Sequence, residues 1–247
     1  MLRRYAAELK WPLYLATEFP NDPIVVKLRD EFQVSILTLK TEDAGFLESR
    51  LSALKLLPST IKYVLPLQED FLLDRQPDYP ALNDALFILD TDRNISSLRL
   101  MPCPGAHETD VKYVKEKEWM ILGSKNTYVF TYQATLWRRW DLTMYFESLL
   151  ARIQKDFGEK SSEDKKYLAL TSNVGENHYG QAILKSCLEN TLHLCWPRAG
   201  KWSNAVFLCP WPYRPTAVTR GRLEPFAEEL FQREGVKFEQ PHVNQML

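Results

Sequence analysis

The stretch Tyr63-Val64-Leu65-Pro66-Leu67-Gln68-Glu69-Asp70-Phe71-Leu72-Leu73 constrains the fold more than any other, because an apolar run ends there in two adjacent carboxylates. A run of this kind reads as a buried strand. Acids at its carboxyl end stand where open α/β sheets bind their ligands, in the crevice beyond the strand tips. Neighbouring carboxylates taken out of water repel each other and hold on to protons unless a cation or strong donors lie between them. A hard divalent cation with oxygen ligands, magnesium or manganese, meets that need, with Asp70 and Glu69 as its ligands. The plain alternative is that Glu69 and Asp70 open a solvated loop.

The flanking pattern supplies the rest of an α/β fold. Leu2, Tyr5, Ala6 and Leu9 fall at helical spacing, Pro12 to Thr17 and Val34 to Leu39 read as strands, and Phe46 to Leu57 reads as a helix with Leu47, Leu51 and Leu54 on one face. Pro80 to Asp90 is a second helix and Ser97 to Met101 a returning strand, so the alternation predicts a mostly parallel sheet. After a turn cluster at Pro102 to Ala106 and a charged loop or lid from His107 to Glu118, Trp119 to Gly123 and Tyr128 to Gln133 read as an antiparallel pair. A long helix follows Trp137, with Leu142, Tyr145, Phe146, Leu149, Leu150 and Ile153 as one buried stripe. Asn173 with Glu176 three residues on has capping-box spacing for a helix running to Leu188, Thr191 to Trp196 reads as a last strand, and a final helix runs from Leu223 to Glu234.

Composition narrows the function. In 247 residues, 31 basic side chains face 32 acidic ones, so no global field attracts nucleic acid or an anionic membrane. One domain is expected at this length. The seven Trp suggest aromatic surfaces on which sugars stack. Cys103, Cys187, Cys195 and Cys209 are too widely spaced for a paired-thiolate zinc site and read as reduced thiols. With no apolar leader region and no run of membrane-spanning length, the expectation is a cytoplasmic protein. The glycine-rich phosphate loops, the G-x-S-x-G elbow and H-E-x-x-H are absent, which removes support for nicotinamide oxidoreductases, P-loop NTPases, elbow-type serine hydrolases and zincins.

Five blocks in order carry a resemblance. They are Trp11-Pro12-Leu13-Tyr14-Leu15, Glu48-Ser49-Arg50-Leu51-Ser52-Ala53-Leu54, the acidic stretch from Tyr63 to Leu73, Leu98-Arg99-Leu100-Met101-Pro102-Cys103-Pro104-Gly105, and Thr131-Tyr132-Gln133-Ala134-Thr135-Leu136-Trp137-Arg138-Arg139. Together they look like a glycosyltransferase-like family with a GT-A-type, Rossmann-like nucleotide-sugar fold. The resemblance implies a three-layer sandwich, with residues 1–105 as a nucleotide-sugar half, 106–215 as an acceptor half and 216–247 as a C-terminal helix and tail. It also implies a nucleotide-sugar donor whose diphosphate a divalent cation bridges to the acidic strand end. Two features depart from the family: Gln68 stands where its Asp-x-Asp motif begins, and the chain starts on the helix that normally follows the first strand.

Within that frame the candidate catalytic bases are Glu176 and then Asp141, each with an alternative as a helix cap. Arg50 is placed at the nucleotide by the resemblance, or is a solvated helix residue. Gln133 and Trp137 lie where such folds put sugar and acceptor, against a core role for Trp137. Arg138 and Arg139 face phosphate or flank a helix start, where cations are mildly unfavourable. Trp211, Tyr213 and Arg214 floor an acceptor groove or pack over the sheet. The leading expectation is a metal-assisted glycosyltransferase acting on a glycan or other hydroxyl acceptor. A catalytically silent relative that binds a glycan or a protein partner is the alternative, and a metal-dependent phosphotransfer or hydrolysis enzyme is a third.

Overall fold

The computed structural model describes residues 1–40, 45–101, 119–122, 128–158, 174–196, 209–214, 217–219 and 222–237. Among them the protein is a mixed α/β fold with seven helices and a mixed five-stranded sheet. The turn cluster from Pro102, the charged loop to Glu118, the turn at Ser124, Asn173 and the tail from residue 238 lie outside the described residues.

The chain begins with α1 (Leu2–Tyr5) and strand β1 (Tyr14–Thr17), which pairs in parallel with β2 (Ser35–Thr38). Between them runs α2 (Pro23–Phe32), a helix the apolar pattern did not predict. Its start was nevertheless written locally: Pro23 presets the first helical φ, and the Asp22 side chain accepts from Ile24 N at 2.8 Å. Only Val25 of this helix is buried, so little periodicity exists to read. Helix α3 (Phe46–Leu56) buries Leu47 and Leu54 as expected.

The acidic stretch is not one strand. Pro66 carries no N–H for a ladder, and the run divides into β3 (Tyr63–Val64), an irregular turn through Asp70, and β4 (Leu72–Leu73). Helix α4 (Tyr79–Thr91) is capped by Asp78, which accepts from Ala81 N at 3.0 Å, and buries Leu82, Ala85, Ile88 and Leu89. Strand β5 (Ile95–Arg99) is buried throughout. Strand β6 (Met120–Ile121) pairs with β8 (Leu192–Cys195) rather than with residues 128–133, which are not a strand. The strand in that region is β7 (Thr135–Arg138), and α5 (Arg139–Phe157) starts at the next residue. Helix α6 (His178–Cys187) is capped by Asn177 through Gly180 N, so Glu176 is not the acid of a capping box. Short strands β9 (Tyr213–Arg214), β10 (Val218–Thr219) and β11 (Arg222–Leu223) lead to α7 (Pro225–Arg233).

The five-stranded sheet has the order β3-β7-β5-β8-β6, and only β5 and β8 run parallel. The expected mostly parallel sheet is thus corrected: β7 lies antiparallel between β3 and β5, and β6 lies antiparallel on β8. Alternation along the strands sends Leu98, Leu136 and Leu194 into a cluster with α4, whereas Trp137 joins one built from α3, α5 and α6. In α5, Leu142, Tyr145, Phe146, Leu149 and Ile153 are buried and Leu150 packs beside them, matching the predicted stripe.

His193 sits in the middle of this sheet, its Nδ1 2.9 Å from Ser97 Oγ and its ring 5.5 Å from that of Trp137. Burial first, then the nearby Arg99 charge, push its pKa down from 6.5 to about 4. A depressed pKa stabilises the fold above the unfolded value and stops doing so as pH falls through the folded one. Stability should therefore decline between pH 6.5 and about 4, by roughly 3 kcal/mol in total at about 1.4 kcal/mol per unit. Urea denaturation over that range should show the decline in the wild type and a flatter profile in His193→Gln.

Candidate functional site

Both β3 and β5 are antiparallel to β7, so they run the same way, and β8 runs with β5. The turn after β3, the ends of β5 and β8, and the segment that enters β7 therefore share one edge. Leu100 N donates to Ala134 O at 2.9 Å, and Trp196 N to Arg99 O at 2.9 Å, which ties these segments together. Carboxyl edges of this kind are where open α/β sheets bind ligands.

Asp70 lies at this edge. Its backbone is held: Phe71 N donates to Gln68 O at 3.1 Å, Ala217 N to Asp70 O at 3.2 Å, and the Phe71 ring stacks on Tyr213 at 4.7 Å. One oxygen of its carboxylate is not held. Oδ1 is buried with no hydrogen-bond partner, and burial, then the charge of neighbouring Glu69, raise its pKa. Glu69 itself is exposed.

Tyr213 links the acidic turn to β7. It is fully buried, accepts a hydrogen bond from Ala134 N at 2.8 Å and donates one to Gln133 Oε1 at 2.7 Å. The preceding segment is clamped by α6, whose Gln181 accepts from Phe130 N at 2.9 Å and donates to Phe130 O at 2.7 Å. Glu176 Oε1 accepts from Tyr132 N at 2.7 Å and from Thr131 Oγ1. Tyr145 fixes the turn that carries Glu176 by donating from α5 to Gly175 O at 2.9 Å.

Arg50 reaches this group from α3. Its guanidinium lies 3.5 Å from the Phe46 ring centroid and 5.4 Å from that of Tyr132. Burial lowers its pKa, while Tyr132 and Glu69 act in the opposite sense. The Tyr132 hydroxyl is buried without a partner, and burial holds it protonated well above its ordinary range. A Cβ on Gly175 would come within 2.7 Å of that hydroxyl, so a glycine is needed to admit the ring.

The structure thus brings together Arg50, Glu69, Asp70, Gln133, Glu176 and Tyr213, and separates them from six other candidates. Trp137 is core, 1% exposed and packed against the tilted rings of Phe130 and His193. Arg138 lies at the opposite edge, where it donates to Ile95 O at 2.7 Å, Asp92 O at 2.8 Å and Leu89 O, closing the end of α4. Arg139 is there too, donating to Pro58 O at 2.5 Å, and so does not face phosphate at the acidic turn. Asp141, in the first turn of α5, accepts from Ser96 Oγ at 2.6 Å at that same far edge and suits the positive helix start. Arg214 turns toward Phe226, 5.4 Å from its ring, on a cavity of about 300 Å³ that Asp74, Glu229 and Arg233 also line. Trp211 is buried in the α4 cluster rather than displayed in a groove.

Two residues of the edge escaped the sequence reading. Tyr132 lay inside the segment expected to be a strand. Arg99 had a signal, since a lone cation between Leu98 and Leu100 in an apolar strand is unusual. Among the described residues Cys187, Cys195 and Cys209 form no disulfide. No helix among the described residues is long and apolar enough to cross a membrane.

The described residues hold no group of three His, Cys, Asp or Glu side chains able to ligate a metal. Magnesium and manganese bound through substrate phosphate need only one or two carboxylates, the rest being phosphate oxygen and water. The orphaned Asp70 oxygen beside Glu69 fits that donor set. Comparison with protein-family models, with curated proteins and with solved structures finds no match to this chain.

A raised pKa means that Asp70 stabilises the fold while protonated and costs stability as pH rises through its folded value. Asp70→Asn removes that cost. In metal-free buffer at pH 7 its Tm should exceed that of the wild type, and the difference should shrink toward the ordinary carboxylate value of 3.8.

Proposed function

We propose that this chain is a glycosyltransferase with a three-layer, GT-A-like arrangement that binds a nucleotide-sugar donor at the carboxyl edge of its sheet. The observation that carries the reading is the buried, unpartnered Oδ1 of Asp70 on a turn whose backbone is fixed. A preformed carboxylate with one oxygen withdrawn from water is costly in the free protein, and a phosphate-bound cation offsets that cost on arrival.

Asp70, with Glu69, would hold Mn²⁺ or Mg²⁺. The cation would neutralise charge that builds on the departing diphosphate. Arg50 is set by its two aromatic rings to meet the nucleotide, and Gln133, pinned by Tyr213, to meet the sugar. Glu176 is the carboxylate that takes the proton of the acceptor hydroxyl as the glycosyl bond forms. The acceptor is a glycan or another hydroxyl compound, and the setting is the cytoplasm.

One observation favours a second reading. Glu176 Oε1 already accepts two hydrogen bonds that shape the 131–132 turn, and Gln68 occupies a position where an acid would serve metal binding. A relative that binds a glycan or a protein partner without transferring sugar has those features.

Isothermal titration of UDP and GDP, with and without manganese, separates the readings. Transfer chemistry expects manganese-dependent nucleotide binding that weakens about tenfold or more in Asp70→Asn, the loss of one charge-assisted ligand. Absence of heat for either nucleotide in the presence of manganese removes the donor site, and with it the transferase.

A further inference from the structure

Arg99 is the last residue of β5, paired with Thr135 of β7 and with Cys195 of β8, and is 1% exposed. Its Nη1 donates to Tyr128 O at 3.0 Å and its Nε to Cys195 Sγ at 3.4 Å, while the buried Nη2 has no partner. Among the described residues no carboxylate forms an ion pair with it.

A guanidinium does not shed its charge at any working pH. Burying one against a carbonyl, a thiol and an empty third position strongly disfavours the free protein. Among the described residues the nearest titratable neighbours supply no anion. His193 is kept neutral by burial, and the Tyr213 hydroxyl, buried and bound to Gln133 and Ala134, stays protonated. Both Arg99 and Asp70 act electrostatically on Tyr213. One tyrosine thus stands near a cation and a carboxylate, each with an orphaned buried atom, at the ligand-binding edge of the sheet.

We propose that Arg99 is a binding residue for an anionic oxygen group of the ligand, a phosphate or a carboxylate, at the carboxyl end of β5. The planar fork of donors suits either group. The site needs neither a metal nor sugar transfer, so it stands apart from the transferase reading. If the donor is a nucleotide sugar, Arg99 receives its diphosphate; if the group is a carboxylate, the ligand is an acidic sugar or a similar acid.

Thermal unfolding of the full chain in EDTA, at constant ionic strength, tests this with pyrophosphate and with glucuronate as probes. The expected result is a rise in Tm with at least one probe, lost in Arg99→Met. A rise with pyrophosphate assigns the phosphate source, and a rise with glucuronate the carboxylate source. No rise with either probe, or a rise that Arg99→Met retains in full, overturns the proposal. Should Arg99→Met fail to fold, Arg99→Lys keeps the charge without the fork and should bind the active probe about tenfold more weakly; undiminished affinity there also overturns it. A probe response that persists in Asp70→Asn, alongside no manganese-dependent nucleotide binding, upholds Arg99 while the transferase fails. The reverse pattern, manganese-dependent nucleotide binding with no probe response, ends the Arg99 proposal alone.

Discussion

Strand β7 lies antiparallel between β3 and β5, and the placement of every loop discussed above depends on that insertion. Because β7 runs against its neighbours, the segment leading into it arrives at the edge where β3 and β5 end. Residues 130–134 therefore meet the turn at Asp70, and Tyr213 can bridge the two through Gln133 and Ala134. A parallel β7 would deliver Arg138 to that edge in place of Gln133. The observed register instead sends Arg138 to the far edge, where its guanidinium satisfies the carbonyls that end α4.

The edge is stabilised unevenly. Its backbone is well held by Gln181 on Phe130, Glu176 on Tyr132 and Tyr145 on Gly175. Some of its polar side chains are not: the Asp70 carboxylate, the Tyr132 hydroxyl and the Arg99 guanidinium each bury a polar atom without a partner. Buried orphans of this sort cost free energy, and three of them gather at one edge of the sheet, beside others at Glu48 and Trp211. Arg99 among them has the fewest alternatives, since it keeps its charge whatever surrounds it.

Much of the framework was legible in the chain. The α5 stripe, the α3 and α4 faces and the strands near Tyr14, Ser35, Ile95 and Leu192 are local patterns, and local patterns survive folding. Helix α2 has a local start signal in Asp22 and Pro23, but with Val25 alone buried its apolar spacing is too thin to read as a helix. The strand expected at 128–133 failed for a specific reason. Its residues are apolar because Val129 and Phe130 are buried in a non-repetitive loop, and burial without periodicity imitates a strand. Of the candidate site, Asp70 with Glu69 is marked by the chemistry of adjacent carboxylates, whereas Arg138 and Asp141 are held at the far edge by Ile95 O and Ser96 Oγ.

The sequence by itself determined the helical faces, the caps at Asp22 and Asp78, the break at Pro66 and the presence of an acidic turn after an apolar run, since each depends on side chains within a few residues of one another. Only the tertiary structure decided that the sheet is mixed, that Tyr213 holds Gln133 from 80 positions away, that Glu176 shapes the turn at Tyr132, and that Arg99 lies buried with no carboxylate paired to it among the described residues. Those outcomes come from strand order and burial, which pairing between distant segments creates and which no local spacing encodes.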